Sequence, residues 1–293
     1  MKYGTLCSGI EGAAVAFADF GWQHAYCAEV DGFCCDLLAH HYPGVPNLGD
    51  ITTAQFPAVD LIVAGTPCQS FSVAGNRAGL DDPRGQLALR FVEILRETKP
   101  QWIIWENVPG VLSSSKGADF AAFIGALSEV GYGLAWRVLD ARFFGVAQRR
   151  RRVFVVGYLG AHAPAESVLF ESPTGCGTAA TPGRVRPQRD GVCGYSQPLF
   201  GWTATTRTVH VLDGMPVLCQ SRQDKYGVAY GSTVRRLTVT EWERLQGFPD
   251  GYTAIGRGDG LRRKALGNSF AVPVMRWIGQ RLKAIQDTLA FLD

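Results

Sequence analysis

What this sequence lacks rules out several classes of protein. No apolar run approaches the roughly 20 residues that a membrane span needs, and the N-terminal residues form no apolar signal segment. The eight cysteines contain no Cys-x-x-Cys pair, only the neighbours Cys34 and Cys35, which argues against a disulfide framework and against a zinc site. We therefore expect a soluble, cytoplasmic protein with no membrane association, no bound metal and mostly reduced thiols.

Net charge is also low, at +3 over 293 residues, so the chain as a whole makes no electrostatic case for binding nucleic acid. Its hydrophobic fraction of 46% and charged fraction of 19% are ordinary for a globular protein. Positive charge is instead local, in a run of four arginines at 149–152 and in scattered arginines after residue 183. The run is either a solvated face or an attraction for phosphate, and charge alone leaves both readings open.

A strand-length apolar run, Val59 to Ala64, ends in a polar loop that carries Cys68. Gly65 and Pro67 stop the strand, and the loop continues through polar residues rather than into another apolar element. Open α/β sheets place their chemistry at such strand ends, where an exposed thiol can react. The alternative is a structural cysteine packed in the core, which is common for a free thiol.

Two carboxylates occupy comparable positions at the ends of other predicted strands. The chain begins with a strand, a glycine loop at 8–12 and an Ala-rich helix, and the next strand ends at Glu29. An acidic residue there holds ribose hydroxyls in nucleotide-binding α/β folds, although a solvated strand end has the same pattern. Glu106 ends the strand that follows the Cys68 strand and is expected to face the same crevice.

Strand and helix patterns alternate as far as residue 159 and then stop. Residues 160–234 are rich in Gly, Pro, Thr and Arg and contain no convincing helix, which indicates a smaller domain of irregular β structure. Regular structure returns at 235–293, with a short helix introduced by a Thr240/Glu243 capping box and a long final helix. The predicted domains are 1–159, 160–234 and 235–293, the last rejoining the first. Further predictions are helices at 31–41, 85–98 and 117–131 and strands at 101–105, 133–139 and 153–159.

The segment Pro67-Cys68-Gln69-Ser70-Phe71-Ser72 resembles the Pro-Cys-Gln-x-Phe-Ser nucleophile motif of the DNA cytosine-5 methyltransferase family. The other motifs of that family follow in order, and only 160–234 has no counterpart. They are the glycine loop at 8–12, Glu29, Gly49-Asp50-Ile51, Arg84-Gly85-Gln86-Leu87, Glu106-Asn107-Val108, Gln148-x-Arg150-x-Arg152, Arg236 to Pro249 and Gly267-Asn268-Ser269.

The resemblance implies an α/β fold with a Rossmann-like class I methyltransferase sheet, largely parallel with a reversed last strand. Residues 160–234 would form a small, irregular, β-rich target recognition domain. The implied reaction moves a methyl group from S-adenosyl-L-methionine to C5 of a flipped-out cytosine in a specific double-stranded DNA sequence. It would pass through a covalent adduct between Cys68 and C6 and leave S-adenosyl-L-homocysteine.

Residue roles carry over position by position from the resemblance. Cys68 would be the nucleophile, Glu106 would hold N3 and the amine of the base, and Arg150 or Arg152 would bind O2. The residues expected at the cofactor are Ser8, Gly9, Ile10, Glu29, Asp50, Ile51, Leu87, Asn268 and Ser269. Those expected at DNA are Gln69, Ser70, Ser72, Arg77, Gln148, Arg149, Arg184, Arg186 and Arg207.

The sequence departs from the family pattern at three positions. Cys7 stands where a phenylalanine usually packs on the adenine, Glu11 stands where a glycine is usual, and Ala147 replaces the proline before Gln148. The first two changes affect the expected contacts of the cofactor, while the pocket keeps its expected place.

The main alternative function is an RNA cytosine-5 methyltransferase of the tRNA-acting kind. That branch is expected to lack most of the recognition domain and to carry Cys-Phe-Thr, whereas this chain has residues 160–234 and no such tripeptide. Amino-methylating enzymes would show an Asp/Ser/Asn-Pro-Pro-Tyr/Phe motif, which is absent. The resemblance also suggests that a restriction endonuclease is associated with this protein and that the protein acts at the nucleoid. It does not indicate the target sequence or the oligomeric state.

Overall fold

The main sheet has six strands in the order β2-β1-β3-β4-β6-β5. A computed structural model describes residues 1–66, 83–170, 200–203, 211–212, 215–216, 226–230 and 233–292. Strands β1 to β4 pair in parallel, and β6 runs antiparallel to both β4 and β5. The strands are β1 Lys2–Leu6, β2 Gln23–Tyr26, β3 Leu61–Ala64, β4 Trp102–Asn107, β5 Tyr132–Asp140 and β6 Arg151–Leu159. The predicted α/β class is confirmed. The reversed strand is β6, the last of these six strands in sequence order, and it lies between β4 and β5.

Helices cover both faces of this sheet. They are α1 Gly12–Phe17, α2 Gly32–His41, α3 Pro83–Thr98, α4 Ala118–Val130, α5 Ala163–Leu169, α6 Val239–Gln246, α7 Asp259–Asn268 and α8 Val272–Leu292. Residues of α1, α5 and α8 belong to one buried apolar cluster, and residues of α3 and α4 belong to a second. None of the helices in the described ranges is long and apolar enough to cross a membrane.

Strand β4 shows why the central strands read as unbroken apolar runs. Trp102 and Ile104 enter one cluster, Ile103 and Trp105 enter the other, and all four are fully buried. A strand covered by helices on both faces has no solvent side on which polar residues could alternate. Each such side chain contributes about 1.5–3 kcal/mol by leaving water, so β4 is a rigid base for the residues at its end.

Most elements of the first 159 residues are close to their predicted places. Asp31 caps α2 as expected, since its carboxylate accepts from the backbone nitrogens of Phe33 and Cys34. Gly131 ends α4 with φ of 111°, a left-handed conformation that suits glycine. The stripe on α8 is also confirmed, with Val274, Ile278 and Leu282 buried in the core.

Two helices differ from the sequence expectations. Residues 163–169 were expected to be non-helical, yet they form α5, and Ala165, Val168 and Leu169 are fully buried in the cluster shared with the main sheet. Helix α7 was not predicted, because glycine and four charged residues between 258 and 264 obscure its apolar positions. In both cases packing against the rest of the fold stabilises a helix that local sequence favours only weakly.

The described pieces between residues 200 and 236 are short β-strands. Strands β7 Phe200–Thr203, β10 Tyr226–Tyr230 and β11 Thr233–Arg236 pair antiparallel in the order β11-β10-β7. Strands β8 Val211–Leu212 and β9 Met215–Pro216 form a two-stranded ladder. These strands agree with the expected β character, while the division into domains at 159 and 234 stays a prediction.

The capping box of α6 lies two residues earlier than predicted. Thr238 is the N-cap: its hydroxyl accepts from the backbone nitrogen of Glu241, and the Glu241 carboxylate accepts from the backbone nitrogen of Thr238 at 2.7 Å. Glu243, the predicted partner of Thr240, is instead fully buried and accepts from the backbone nitrogens of Gly251 and Thr253. Both Thr-x-x-Glu patterns fit the sequence rule, so tertiary contacts of Glu243 decide between them.

We predict that Thr238→Ala lowers the free energy of unfolding by about 1 kcal/mol, because the first turn of α6 loses its side-chain acceptor. Thr240→Ala is the matched control and should change it by less than about 0.5 kcal/mol. Chemical denaturation of the two variants measures both values. A larger loss in Thr240→Ala than in Thr238→Ala would contradict the assignment of the cap.

Candidate cofactor and base site

The carboxyl ends of the parallel strands open into a cavity of about 480 Å³. Its wall combines the loops after β1 and β2, the turn at 49–51, the ends of β3 and β4, the start of β6 and the second half of α7. Crevices outside the carboxyl ends of an open α/β sheet are the usual ligand sites of this architecture, and the volume suits a small molecule. The crevice predicted from the strand ends is therefore present.

Glu29 lies in the cavity wall, where its carboxylate binds backbone nitrogens from the loop after β1 and from the loop after β2. It accepts from Gly9 at 2.7 Å, and from Val30 and Asp31 at 2.8 Å each. Gly9 has φ of 57°, a conformation that glycine adopts without strain. Two carboxylate oxygens offer about four acceptor positions, so three backbone contacts leave room for one hydroxyl donor from a ligand.

The neighbouring wall carries Asp50, Ile51 and Leu87. Asp50 accepts from the backbone nitrogen and the hydroxyl of Thr52, both at 2.8 Å, and the backbone hydrogen bond is the main cause that lowers the pKa of this carboxyl. Ile51 is buried except for its edge on the cavity. This wall therefore offers one charged acceptor beside apolar surface, as the sequence predicted.

Three of the expected cofactor residues lie behind the wall rather than in it. Ile10 is fully buried, and the Ser8 hydroxyl accepts from the backbone nitrogen of Ala28 at 3.0 Å. Ser269 is buried, and its carbonyl accepts from Arg150. These three support the loops that line the cavity, while Asn268 beside Ser269 does reach it.

Glu106 and Arg152 form an ion pair in the wall of the cavity. The Glu106 side chain is 10% exposed, and its Oε1 lies 3.1 Å from Nε of Arg152. Burial raises the pKa of the Glu106 carboxyl above its ordinary value, and the positive charges of Arg150 and Arg152 oppose that shift. A buried acid with a raised pKa and a guanidinium beside it can donate a proton as well as accept one.

Arg150 has a different position from Arg152. Its guanidinium is buried and donates to the carbonyls of Gly267 at 3.0 Å and Ser269 at 2.6 Å. These bonds tie the start of β6 to the end of α7, on either side of Asn268. The sequence could not separate the two arginines, and the structure assigns the Glu106 contact to Arg152.

Gln148 disagrees with its expected DNA contact, because the side chain is fully buried. Its amide nitrogen donates to the carbonyl of Leu245 at 2.7 Å and to the Gln246 side chain at 3.2 Å, which joins the loop before β6 to helix α6. Arg149 is exposed, as a DNA contact requires. Alternating burial through 148–151 explains why neighbouring residues of one motif have different surroundings.

Thr66 and its contacts were not predicted, although they define where the Cys68 loop begins. The indole nitrogen of Trp105 donates to the Thr66 hydroxyl, and the Asn107 amide donates to the Thr66 carbonyl, both at 2.9 Å. Both donors flank Glu106 on the adjacent strand, so the loop leaves the sheet beside that carboxylate. The other predicted residues of this loop and of the later region lie outside the described residues: Cys68, Gln69, Ser70, Ser72, Arg77, Arg184, Arg186 and Arg207.

Helix α7 also contributes to the site without having been predicted. Leu261, Lys264 and Ala265 line the cavity, and Lys264 pairs with Asp31 at 2.7 Å across it. The signal in the sequence was an apolar spacing of Leu261, Ala265 and Leu266, four and five residues apart. The surrounding charges made that spacing easy to miss.

Comparison with known proteins agrees with this geometry. The model of the family described as C-5 cytosine-specific DNA methylase matches residues 1–181 and 185–284. A protein of Escherichia phage P1 named DNA N-6-adenine-methyltransferase is 30% identical over 96% of this chain, and the Type II methyltransferase M2.BsuMI of Bacillus subtilis is 33% identical over 96%. The chain spans 61% of the length of the phage protein and 75% of that of the Bacillus protein.

The fold has a close counterpart among solved structures. A prophage-encoded protein of E. coli described as a DNA modification methyltransferase superposes with a TM-score of 0.70, covering 99% of both chains at 20% identity. At that identity the likeness shows the fold alone.

We predict that Arg150→Met weakens binding of S-adenosyl-L-homocysteine about tenfold, because the buried carbonyls of Gly267 and Ser269 lose charged hydrogen bonds worth about 1.5–3 kcal/mol. Arg152→Met is the matched control and should bind within about twofold of the unmodified protein. Titration calorimetry measures both. Equal losses in the two variants would contradict the separate positions of the arginines, and thermal melts show whether either variant is unfolded.

Proposed function

The chain belongs to the C-5 cytosine-specific DNA methylase family, and from that membership we propose that it methylates C5 of a flipped-out cytosine in a specific duplex DNA sequence. The observation that carries the proposal is one cavity whose wall has two chemically different parts. Glu29, a candidate ribose acceptor, follows β2, and the buried pair of Glu106 and Arg152 lies at the end of β4, with β1 and β3 between those two strands. Such a site can hold a nucleoside cofactor and a pyrimidine edge together.

The wall near Glu29 fits S-adenosyl-L-methionine. Glu29 retains one acceptor position for a ribose hydroxyl, and Asp50 can accept from the adenine amine. Asn268 lies between Gly267 and Ser269, which Arg150 anchors, and would contact the methionine end. Cys7 leaves room where an aromatic ring is usual, and Ile51 and Leu87 supply apolar surface in its place. When bound, this cofactor supplies an electrophilic methyl group on a sulfonium.

Glu106 and Arg152 suit the polar edge of cytosine. Neutral N3 of cytosine is an acceptor, so a carboxyl with a raised pKa can donate to it while its other oxygen accepts from the amine. Arg152 beside it can donate to O2. Both contacts withdraw electron density from the ring and make C6 easier to attack.

Cys68 is the proposed nucleophile, on the sequence motif alone. Its thiolate would add to C6, which makes C5 electron-rich enough to accept the methyl group. Loss of the C5 proton and elimination of the thiolate then restore the ring. The stacked base cannot present C6 inside a duplex, so it must flip out at a cost of a few kcal/mol.

We assign DNA attraction to the exposed arginines of the run, such as Arg149, and sequence reading to residues 160–234. A cationic cluster gives salt-dependent affinity without sequence preference, whereas base discrimination needs side chains that reach the groove edges. The candidates for guanine contacts within that segment are Arg184, Arg186, Arg189, Arg207 and Arg222. A cytoplasmic location, action at the nucleoid and an associated restriction endonuclease stay predictions.

The experiment that tests the function is bisulfite sequencing of DNA from cells that express the protein. We predict cytosine-5 methylation at one short sequence, and its loss in Cys68→Ser, because a hydroxyl is far less nucleophilic than a thiolate at neutral pH. Trapping on duplex DNA that contains 5-fluorocytosine checks the adduct independently, since fluorine cannot leave as a proton.

Other products would contradict the proposal. Methylated tRNA with unmodified DNA would favour the RNA alternative. N6-methyladenine would favour the activity for which the phage P1 relative is named. Full turnover by Cys68→Ser would rule out the covalent route.

We predict that transferring residues 160–234 into a related methyltransferase transfers the target sequence, because base-reading side chains move with the segment. Bisulfite sequencing of the chimera reads the outcome. An active chimera that keeps the specificity of its host would contradict the domain assignment and direct attention to the Cys68 loop.

A further inference from the structure

Glu11 combines two features that each destabilise a fold. Its side chain is buried, with the residue only 1% exposed, and its backbone has φ of 57°, a left-handed conformation that favours glycine. A non-glycine residue held there costs of order 1–3 kcal/mol, and a buried carboxyl adds a desolvation cost. The family that the sequence resembles usually has glycine at this position, so a buried carboxyl on this backbone calls for an explanation.

A chain of hydrogen bonds runs from the end of β2 to Glu11. The backbone nitrogen of Ala28 donates to the Ser8 hydroxyl at 3.0 Å, and the Ser8 and Thr5 hydroxyls are 2.9 Å apart. The Thr5 hydroxyl donates to Oε1 of Glu11, which leaves its oxygen free to accept from Ser8. The carbonyls of Thr5 and Ala28 lie 3.2 Å from the Ser8 oxygen, so the Thr5 hydroxyl at 2.9 Å is the nearest of its three acceptors. Glu11 is then the final acceptor of a chain in which every bond polarises the next.

This chain of hydrogen bonds holds the loop at 8–11, which lines the cofactor cavity. Ser8 precedes Gly9, whose backbone nitrogen donates to Glu29, and Ala28 precedes Glu29. The hydrogen bonds among Ala28, Ser8, Thr5 and Glu11 therefore fix both partners of the contact between Gly9 and Glu29 from the buried side of the loop. Helix α1 begins directly after Glu11, and a Cβ on Gly12 would approach the Ser269 hydroxyl to 2.9 Å, so the loop has little room to shift.

His24 lies on the other side of the carboxyl, with Nε2 at 3.5 Å from Oε1 of Glu11. Within the described part of the chain, neither ring nitrogen of His24 nor Oε2 of Glu11 makes a hydrogen bond. Burial raises the pKa of Glu11 to about 8 and lowers the pKa of His24 to about 4. The other titratable groups that face this pair are Tyr3 from β1, Cys27 and Glu29 after β2, Tyr42 after α2 and Tyr252 after α6.

We propose that Glu11 is a positioning residue for the cofactor: with Thr5, Ser8 and His24 it holds the loop at 8–11 in the shape that binds S-adenosyl-L-methionine. This rests on the proposed cofactor site. The hydrogen-bonded chain gives Glu11 a role that a glycine could not perform, which explains why a strained and buried carboxyl is retained. Glu11 itself has no contact with the cavity.

The proton on the pair makes the arrangement dependent on pH. Near neutral pH the Glu11 carboxyl keeps its proton and the His24 ring is neutral, so the pair carries no net charge. As pH rises through about 8 that proton is lost and leaves a buried carboxylate facing Glu29, whose charge already opposes the ionisation of Glu11. Thr5 can still donate to that carboxylate, but a buried charge favours arrangements of the loop in which it reaches water, so cofactor affinity should then fall.

Folding stability should also fall as pH rises. The folded state holds a proton that the unfolded state releases above the ordinary Glu11 pKa of 4.5, so this residue lowers stability progressively from there to about pH 8. A variant that cannot ionise is free of that loss. The thermal midpoint of Glu11→Gln relative to the unmodified protein should therefore rise between pH 5 and pH 8.

The test is titration calorimetry with S-adenosyl-L-homocysteine on the full chain and on variants of this network. Glu11→Gln keeps the acceptor and the backbone strain and should bind within about threefold of the unmodified protein at pH 7. Glu11→Gly fits the left-handed backbone but removes the acceptor, and we expect about tenfold weaker binding, or about 1.4 kcal/mol. Thr5→Val, which removes the hydroxyl at nearly constant volume, should lose the same amount.

The pH profile and the double variant separate positioning from packing. Between pH 7.5 and 9.5 the unmodified protein should lose about tenfold in affinity relative to Glu11→Gln, and ionisation of the ligand is common to both. Glu11→Gly combined with Thr5→Val should bind no more weakly than either single variant, because both break the same chain.

Two results would overturn the inference. If Glu11 only fills space, the strain-free Glu11→Gly will bind as tightly as the unmodified protein, and the pH profiles will coincide. If the unmodified protein itself binds no S-adenosyl-L-homocysteine, the proposed cofactor site fails and this role of Glu11 fails with it. Circular dichroism and thermal melts of each variant identify losses of affinity that come from unfolding.

Discussion

The reversed direction of β6 is the constraint on which the site depends. In an all-parallel sheet the start of a strand lies at the opposite edge from the chemistry. Because β6 is antiparallel to β4, its first residues stand beside the last residues of β4, and Asn107 pairs with Val153. Arg152 can therefore reach Glu106, although 45 residues separate them in the sequence. The full burial of β4 on both faces makes this contact rigid, since the strand cannot shift without exposing its tryptophans.

Contacts between the two ends of the chain complete the cavity. Arg150 binds carbonyls 117 and 119 residues away, and the Tyr252 hydroxyl donates to the carbonyl of Ile10 across 242 residues. Gln148 joins the β6 entry to α6 in the same manner. The C-terminal segment therefore packs against the main sheet and forms part of the cavity wall. Binding energy at the cofactor site depends on contacts that form only when both ends of the chain have folded together.

The site uses backbone groups to hold its charges. The Glu29 carboxylate binds three peptide nitrogens, and the Arg150 guanidinium binds two peptide carbonyls. Backbone partners have fixed positions, so these side chains lose less order when a ligand leaves than a pair of flexible side chains would. Glu106 and Arg152 differ, since each is the partner of the other and both face the cavity. The Arg152 guanidinium also donates to the carbonyl of Arg151 at 2.8 Å, so the backbone holds one member of this pair and a side chain holds the other.

Sequence by itself determined the alternation of strands and helices, the family, the strand ends that carry Glu29 and Glu106, and the loop that carries Asp50. These follow from local periodicity and from residue types at fixed spacing, which need no knowledge of neighbours in space. Only the tertiary structure decided that Thr238 rather than Thr240 caps α6, that Gln148 and Ile10 face inward, and that Arg152 rather than Arg150 meets Glu106. The physical reason is that a side chain's direction depends on strand register and on the elements packed against it. One residue of register exchanges the buried face of a strand for the open one, and a sequence motif does not record that choice.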